Sequence, residues 1–267
     1  MVEWINAAET SLHLHVYQFD SPELYNAIAG AVQRGVECTI LLEGQILGDA
    51  ADSTDQRGWA DELANAGCTV LWMIEPEGTN APMAPYRYIH SKVAVRDGDR
   101  VWMGSGNWKR STFPLDGDMG NRDSGVIINS QDVADLVMSR LLWDENTSQR
   151  HVINHEDAPT SMGRPTGWVR PTASTEFSPS EPMPLIYDGP FGAILLTCPD
   201  DCIQSLVWMI DQADTTLDMS VQYFDLGWHW GYGDNPLIAA VERAAERGVT
   251  IRLLINGYYM DDWIQET

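Results

Sequence analysis

Basic residues are scarce in this chain: 16 Lys and Arg stand against 39 Asp and Glu in 267 residues, a formal net charge of −23. Such an excess repels nucleic acid and anionic lipid surfaces at long range. The acids are scattered rather than gathered in blocks. That distribution fits a surface adapted to high salt, where screening removes most of the repulsion. Also missing is any apolar run long enough to span a bilayer. No basic stretch followed by an apolar core opens the chain, so no signal peptide is visible. These absences describe a soluble chain and leave its compartment open, an extracellular or cell-surface location included.

Cysteine is nearly absent, with four in all. Cys38 and Cys68 lie inside apolar, strand-like runs, and buried free thiols are expected there. Cys198 and Cys202 flank Pro-Asp-Asp in a strand-to-helix turn and suit a small disulfide. No second cysteine or histidine pair has ligand spacing, so neither a metal site nor a cofactor is expected. What is present is apolar substance: 44 percent aliphatic and aromatic residues, enough for a full globular core.

The chain repeats itself. Ile5 to Asp20 matches Ile210 to Asp225 without a gap at an offset of 205, and Leu24 to Gly44 matches Leu237 to Gly257 at an offset of 213. In each unit a strand leads into a helix, and an Arg-Gly-Val turn leads into a second strand. In the first unit Leu12, Leu14 and Val16 alternate with His13, His15 and Tyr17 as a strand. Ser21 caps a helix with Pro22 at its first position, and Gly35 ends it. Strands follow at Glu37 to Leu42, Thr69 to Met73 and Val126 to Asn129, with helices at Trp59 to Ala66 and Val133 to Leu142. This alternation predicts an α/β fold: two related lobes, each with a mixed, largely parallel sheet flanked by helices. The lobes span 1–150 and 191–267, joined by an irregular Pro/Ser/Thr-rich connection over 151–190. The second lobe opens with a strand at Ala193 to Thr197 and a helix from Ile203. His151 and His155, in the connection, are expected to face solvent.

One stretch carries chemistry. His90, Lys92 and Asp97, followed by Gly104, Ser105 and Asn107, read H-x-K-x4-D-x6-G-S-x-N. A histidine and a lysine two apart on a strand share a face. The set suits a phosphodiester: an imidazole to attack phosphorus, an ammonium for the non-bridging oxygens, and a hydroxyl and an amide beside them. At every fixed position this motif resembles that of the phospholipase D superfamily.

The resemblance implies a phospholipase D-like fold in which two motif-bearing lobes pair to form one site. It also implies a metal-independent exchange through a phosphohistidine, with one histidine attacking and the other protonating the leaving alcohol. His90 is then the nucleophile. Lys92, Ser105 and Asn107 hold phosphate oxygens, and Asp123 is the carboxylate that fixes the tautomer of His90. Asp97 leads into the Asp97-Gly98-Asp99 turn and is structural, as is Gly104. The second motif is expected near residue 303 (90 plus the offset of 213), beyond Thr267. The chain therefore reads as a fragment of a two-lobe member whose second lobe is incomplete. Its second histidine comes from the missing C-terminal part or from a homodimer.

Phospholipid and nucleic acid remain alternative substrates. Transfer to an alcohol, as in lipid synthases, competes with hydrolysis, and a non-catalytic binding lobe is a further alternative. Trp108-Lys109-Arg110 beside the motif suits an anionic substrate. Three aromatics within Gly227 to Gly233 suit base stacking, lipid headgroups or a packed loop equally. His13 and His15 share a strand face and are expected to pack against a helix.

Overall fold

The computed structural model describes residues 1–47, 50–74, 86, 88–114, 120–147, 151–173, 185–222 and 235–256. It divides into two units, Met1–Ala193 and Ile194–Thr267. The aromatic loop at 227–233 lies outside the described residues.

In the first unit the order is α1 (Val2–Asn6), β1 (Ser11–Val16), β2 (Phe19–Asp20), α2 (Pro22–Gln33), β3 (Glu37–Glu43), α3 (Ala50–Ala66) and β4 (Thr69–Met73). There follow β5 (Lys92–Arg96), β6 (Arg100–Gly104), β7 (Trp108–Lys109), β8 (Gly125–Asn129), α4 (Gln131–Asp144) and β9 (Val152–Asn154). Seven strands form one sheet in the order β8-β6-β5-β1-β3-β4-β9, while β2 and β7 pair separately. The sheet is mixed, as expected, but parallel pairing is confined to β1–β3 and β3–β4; the other four pairs are antiparallel. The sequence signals for the parallel part were helices between strands. The antiparallel part arises from a tight β5–β6 hairpin and from strands returning at both sheet edges.

Helix α2 forms as its residues dictate. Ser21 Oγ accepts from Leu24 N–H at 3.2 Å, and Pro22 occupies the first turn. Gly35, at φ +96°, takes the left-handed conformation that ends it, as Gly67 (φ +107°) does after α3. Leu12, Leu14 and Val16 on β1, with Ile40 and Leu42 on β3, are fully buried against Ile28, Trp59 and Leu63. A smaller cluster of Leu41, Leu71, Met73, Ile89 and Val152 is buried as well. Burying each such side chain contributes about 1.5–3 kcal/mol.

Four sequence expectations change here. Cys38 and Cys68 are not free thiols but a disulfide, with Cα atoms 4.7 Å apart. The parallel register, Thr39 beside Thr69, sets the two preceding cysteines side by side. Cys198 and Cys202 are also bonded, as their spacing allows. His13 and His15 are not merely packed: His13 Nδ1 and His15 Nε2 lie 3.2 and 3.1 Å from Glu145 Oε1, just past the end of α4. Burial would raise the Glu145 carboxyl, but these two imidazoles outweigh it and hold the group below its usual range. His151 and His155 do not face solvent. His151 is buried, and His155 Nδ1 accepts from Trp72 Nε1 at 2.9 Å, because β9 adds this segment to the sheet edge. Much of the connection is also docked. Trp168 lies against Trp59 and donates to Asp55 at 2.8 Å, while Arg164 pairs with Asp61 and Glu62.

Asp97 stands at φ +54° in the β5–β6 turn. One of its oxygens accepts from the N–H groups of Glu9, Thr10 and Ser11 at 2.9, 2.7 and 3.2 Å, and from the Thr10 hydroxyl at 3.1 Å. Burial opposes ionisation, but these donors prevail and hold the carboxyl below its normal range. Asp97→Ala is expected to cost about 2 kcal/mol of stability at neutral pH. Because the folded-state pKa is depressed, that contribution is present above the unfolded pKa and lost as pH falls through the folded one. Thermal melts of both proteins across the acid range measure it; a gap undiminished in acid would contradict the assignment.

The second unit contains α5 (Cys202–Asp211), β10 (Thr216–Val221), α6 (Pro236–Glu246) and β11 (Thr250–Ile255). Strands β10 and β11 pair in parallel, Thr216 beside Thr250, as β1 and β3 pair with Ser11 beside Glu37. Ile210, Ala240, Ala244 and Val249 form a buried apolar cluster among its described residues. The strand expected at Ala193 to Thr197 is not formed. An apolar run becomes a strand only where a neighbour takes its hydrogen bonds, and among the described residues β10 and β11 pair only with each other.

Candidate active site

The sheet register gathers the motif residues at one edge. Val16 at the end of β1 pairs with Lys92 at the start of β5, and Gly104 at the end of β6 pairs with Gly125 at the start of β8. His90, Ser105, Asn107 and Asp123 occupy the loops beside those strand ends, where the parallel strands β1, β3 and β4 also finish. That edge is the usual place for ligands in α/β sheets.

His90 reaches solvent, while Lys92 is 4 percent exposed. Lys92 Nζ donates to the His90 carbonyl at 2.7 Å and stands 3.2 and 3.3 Å from Nδ1 and Nε2 of the ring. Partial burial and the neighbouring ammonium both lower the His90 pKa, which favours neutral imidazole at pH 7. Burial pushes Lys92 down to about 8, and the negative charge of Asp123 opposes that fall.

Ser105 Oγ donates to Asp123 Oδ1 at 2.8 Å and accepts from Ser124 N–H at 3.0 Å. Thr112 Oγ1 donates to the other Asp123 oxygen at 3.4 Å. The expected hydrogen bond from a His90 ring N–H to the Asp123 carboxylate is not formed among the described residues; the carboxylate reaches Lys92 by charge and accepts from Ser105. Asn107 Nδ2 donates to Gln18 Oε1 at 2.7 Å, and its buried Oδ1 has no partner among the described residues. Gly106 allows this closeness, since a Cβ there would lie 2.3 Å from Thr112 and 2.7 Å from Asp123. A Cβ on Gly104 would lie 2.7 Å from the Trp102 ring. Trp108 is fully buried, and Arg110 contacts Glu23 at 3.8 Å, so the basic cluster is partly engaged within the protein.

Two residues beside His90 escaped the sequence reading. The Tyr17 ring lies 4.6 Å from the His90 ring and 5.2 Å from Lys92 Nζ, and its hydroxyl accepts from Leu47 N–H at 2.9 Å. Glu43, at the end of β3, is 2 percent exposed and accepts from Ile89 N–H at 2.8 Å. Burial raises its carboxyl to about 7 against the lowering effect of backbone N–H groups from Ile89, Gln45 and Gly44. Tyr17 closes the period-2 pattern of its strand, and Glu43 ends an apolar strand before a glycine. Neither signal names a site.

Residues 1–144 match the family model described as "Cardiolipin synthase, PLD-like domain", more than half of the chain. The chain belongs to the phospholipase D-like family, a superfamily of phosphodiesterases. No curated protein sequence matches it. Among solved structures it is similar to Nuc, a phospholipase D family member from Salmonella typhimurium. The identity is 20 percent over 58 percent of this chain and 87 percent of that one, with a TM-score of 0.43. NucT from Helicobacter pylori is 20 percent identical over 53 percent of this chain and 82 percent of that one, with a TM-score of 0.42. The polyphosphate kinase of Porphyromonas gingivalis shares the fold at 15 percent identity and a TM-score of 0.52, over 96 percent of this chain and 35 percent of that one.

Proposed function

We propose that the protein is a metal-independent phosphodiesterase acting through a phosphohistidine, on phospholipid or nucleic acid. The observation that carries this reading is His90 and Lys92 in contact at a solvent-reaching sheet edge, with the imidazole pKa lowered. In the resting site Lys92 donates to the ring nitrogen that lacks a proton. A bound phosphodiester draws the ammonium onto its non-bridging oxygens and frees that lone pair. The His90 nitrogen then attacks phosphorus, the bond to the leaving alcohol breaks, and a second histidine protonates that oxygen. This acid belongs to a second motif, on a paired copy of the chain or on a complementary lobe. Water then attacks phosphorus, giving its proton to the now neutral second histidine, the P–N bond breaks, and both imidazoles return to their starting states. Asp123 supports the Lys92 charge and orients Ser105, and Asn107 lines the cradle from the Gln18 side.

The matched family description favours a second reading, transfer of a phosphatidyl group to an alcohol. Bis(p-nitrophenyl) phosphate in excess EDTA tests the first reading: steady release of nitrophenol is expected, and strict dependence on added metal would overturn it. Vesicles of phosphatidylglycerol separate the two, since hydrolysis yields phosphatidic acid and transfer yields a diphosphatidyl product.

A further inference from the structure

His90 lies outside β5, so the sheet ladder does not hold its backbone. The residue before it is held at two points. The Ile89 side chain is buried with Leu41, Leu71, Met73 and Val152, and the Ile89 N–H is accepted by Glu43 Oε2 at 2.8 Å. The other Glu43 oxygen accepts from Gln45 N–H at 2.8 Å, which fixes the carboxylate in its own turn. Buried Gln56 continues the tie: its Nε2 donates to the Glu43 carbonyl at 2.7 Å and to the Tyr17 carbonyl at 3.1 Å, and its Oε1 accepts from Phe19 N–H at 2.8 Å. The Tyr17 ring in turn lies against His90. Glu43 and Gln56 thus join the ends of β1 and β3 to the segment bearing His90, away from solvent. In the second repeat the position of Glu43 is taken by Asn256, which also carries a side-chain acceptor.

We propose that Glu43 is a positioning residue for the His90 nucleophile, its carboxylate holding the Ile89 N–H so that the imidazole meets Tyr17 and Lys92 in attacking geometry. The proposal deepens the phosphodiesterase reading and rests on His90 as nucleophile. A fully buried carboxylate kept where an apolar residue would pack is costly unless both oxygens are used, and both are. A small displacement of an attacking atom is enough to slow reaction severely.

Glu43→Gln keeps the side chain's size but offers a single acceptor oxygen, so one of the two backbone N–H groups must face an amide donor. In the full chain it is expected to lower kcat on bis(p-nitrophenyl) phosphate by roughly tenfold to a hundredfold, with KM changed less than about threefold. Histidine-labelled 15N NMR provides a readout independent of turnover. The His90 ring signals, assigned with His90→Ala, are expected to shift or broaden in Glu43→Gln while those of His13 and His155 stay in place. Glu43→Asp, too short to span both donors, is expected to act in the same direction and covers the case in which Glu43→Gln fails to fold. A folded variant with wild-type kcat and unmoved His90 signals would overturn the proposal. Absence of wild-type turnover would sink the phosphodiesterase reading instead, and the NMR comparison would still decide the role of Glu43.

Discussion

His90→Ala is expected to abolish phosphodiester turnover, lowering kcat by roughly a thousandfold or more. The ring reaches solvent and its nitrogens contact only Lys92 among the described hydrogen-bond partners, so its removal opens no core cavity. The melting temperature should therefore stay near that of the wild type. That pairing of outcomes matters, because a lost activity with a lost fold would say nothing about chemistry. Removing a nucleophile ends covalent catalysis outright, whereas removing a phosphate contact weakens it. A folded His90→Ala protein that still turned over bis(p-nitrophenyl) phosphate would remove His90 from the nucleophile role. The same measurement separates an enzyme from a binding lobe, since a binding lobe shows no turnover to lose.

The second large effect concerns Lys92. Its ammonium is the buried cation next to His90, and burial brings its pKa down to about 8. Only the protonated form can hold non-bridging oxygens, so kcat/KM is expected to fall as pH rises through about 8. On the acid side activity is expected to fall where His90 takes a proton, below the ordinary histidine value because burial and Lys92 depress it. Lys92→Ala should cost about a hundredfold or more at pH 7. Lys92→Arg should retain part of the activity and lose the alkaline fall, because guanidinium stays charged throughout this range. An alkaline limb unchanged in Lys92→Arg would assign that titration to another group.

Much of the architecture is legible in the sequence. Alternation along Ser11–Val16, the Ser21-Pro22 cap and the glycines that end α2 and α3 are local signals, and the chain obeys them locally. The structural use of Asp97 was legible for the same reason: an aspartate before a glycine at a strand end belongs to a turn. The family match over 1–144 includes that motif-bearing stretch. Less legible was everything that depends on which strands lie side by side. The Cys38–Cys68 bond requires a parallel register between residues 30 apart, and the pairings of His13 and His15 with Glu145 span 132 and 130 positions. The buried setting of His151 depends on β9 joining a sheet edge.

The candidate site divides along the same line. By itself the sequence determined the residue types and their spacing, His90 two before Lys92 and Ser105 and Asn107 further along; the structure starts β5 at Lys92 and leaves His90 in the loop before it. Tertiary structure decided who touches whom. It turned Asp123 toward Ser105 and Lys92 rather than His90, gave the Asn107 amide to Gln18, set Tyr17 against the imidazole and set Glu43 against the Ile89 N–H. The physical reason is that covalent spacing constrains neighbours a few residues apart, whereas contacts between distant segments follow from strand order and register. Those are chosen by the burial of the whole apolar core, not by any one stretch of chain.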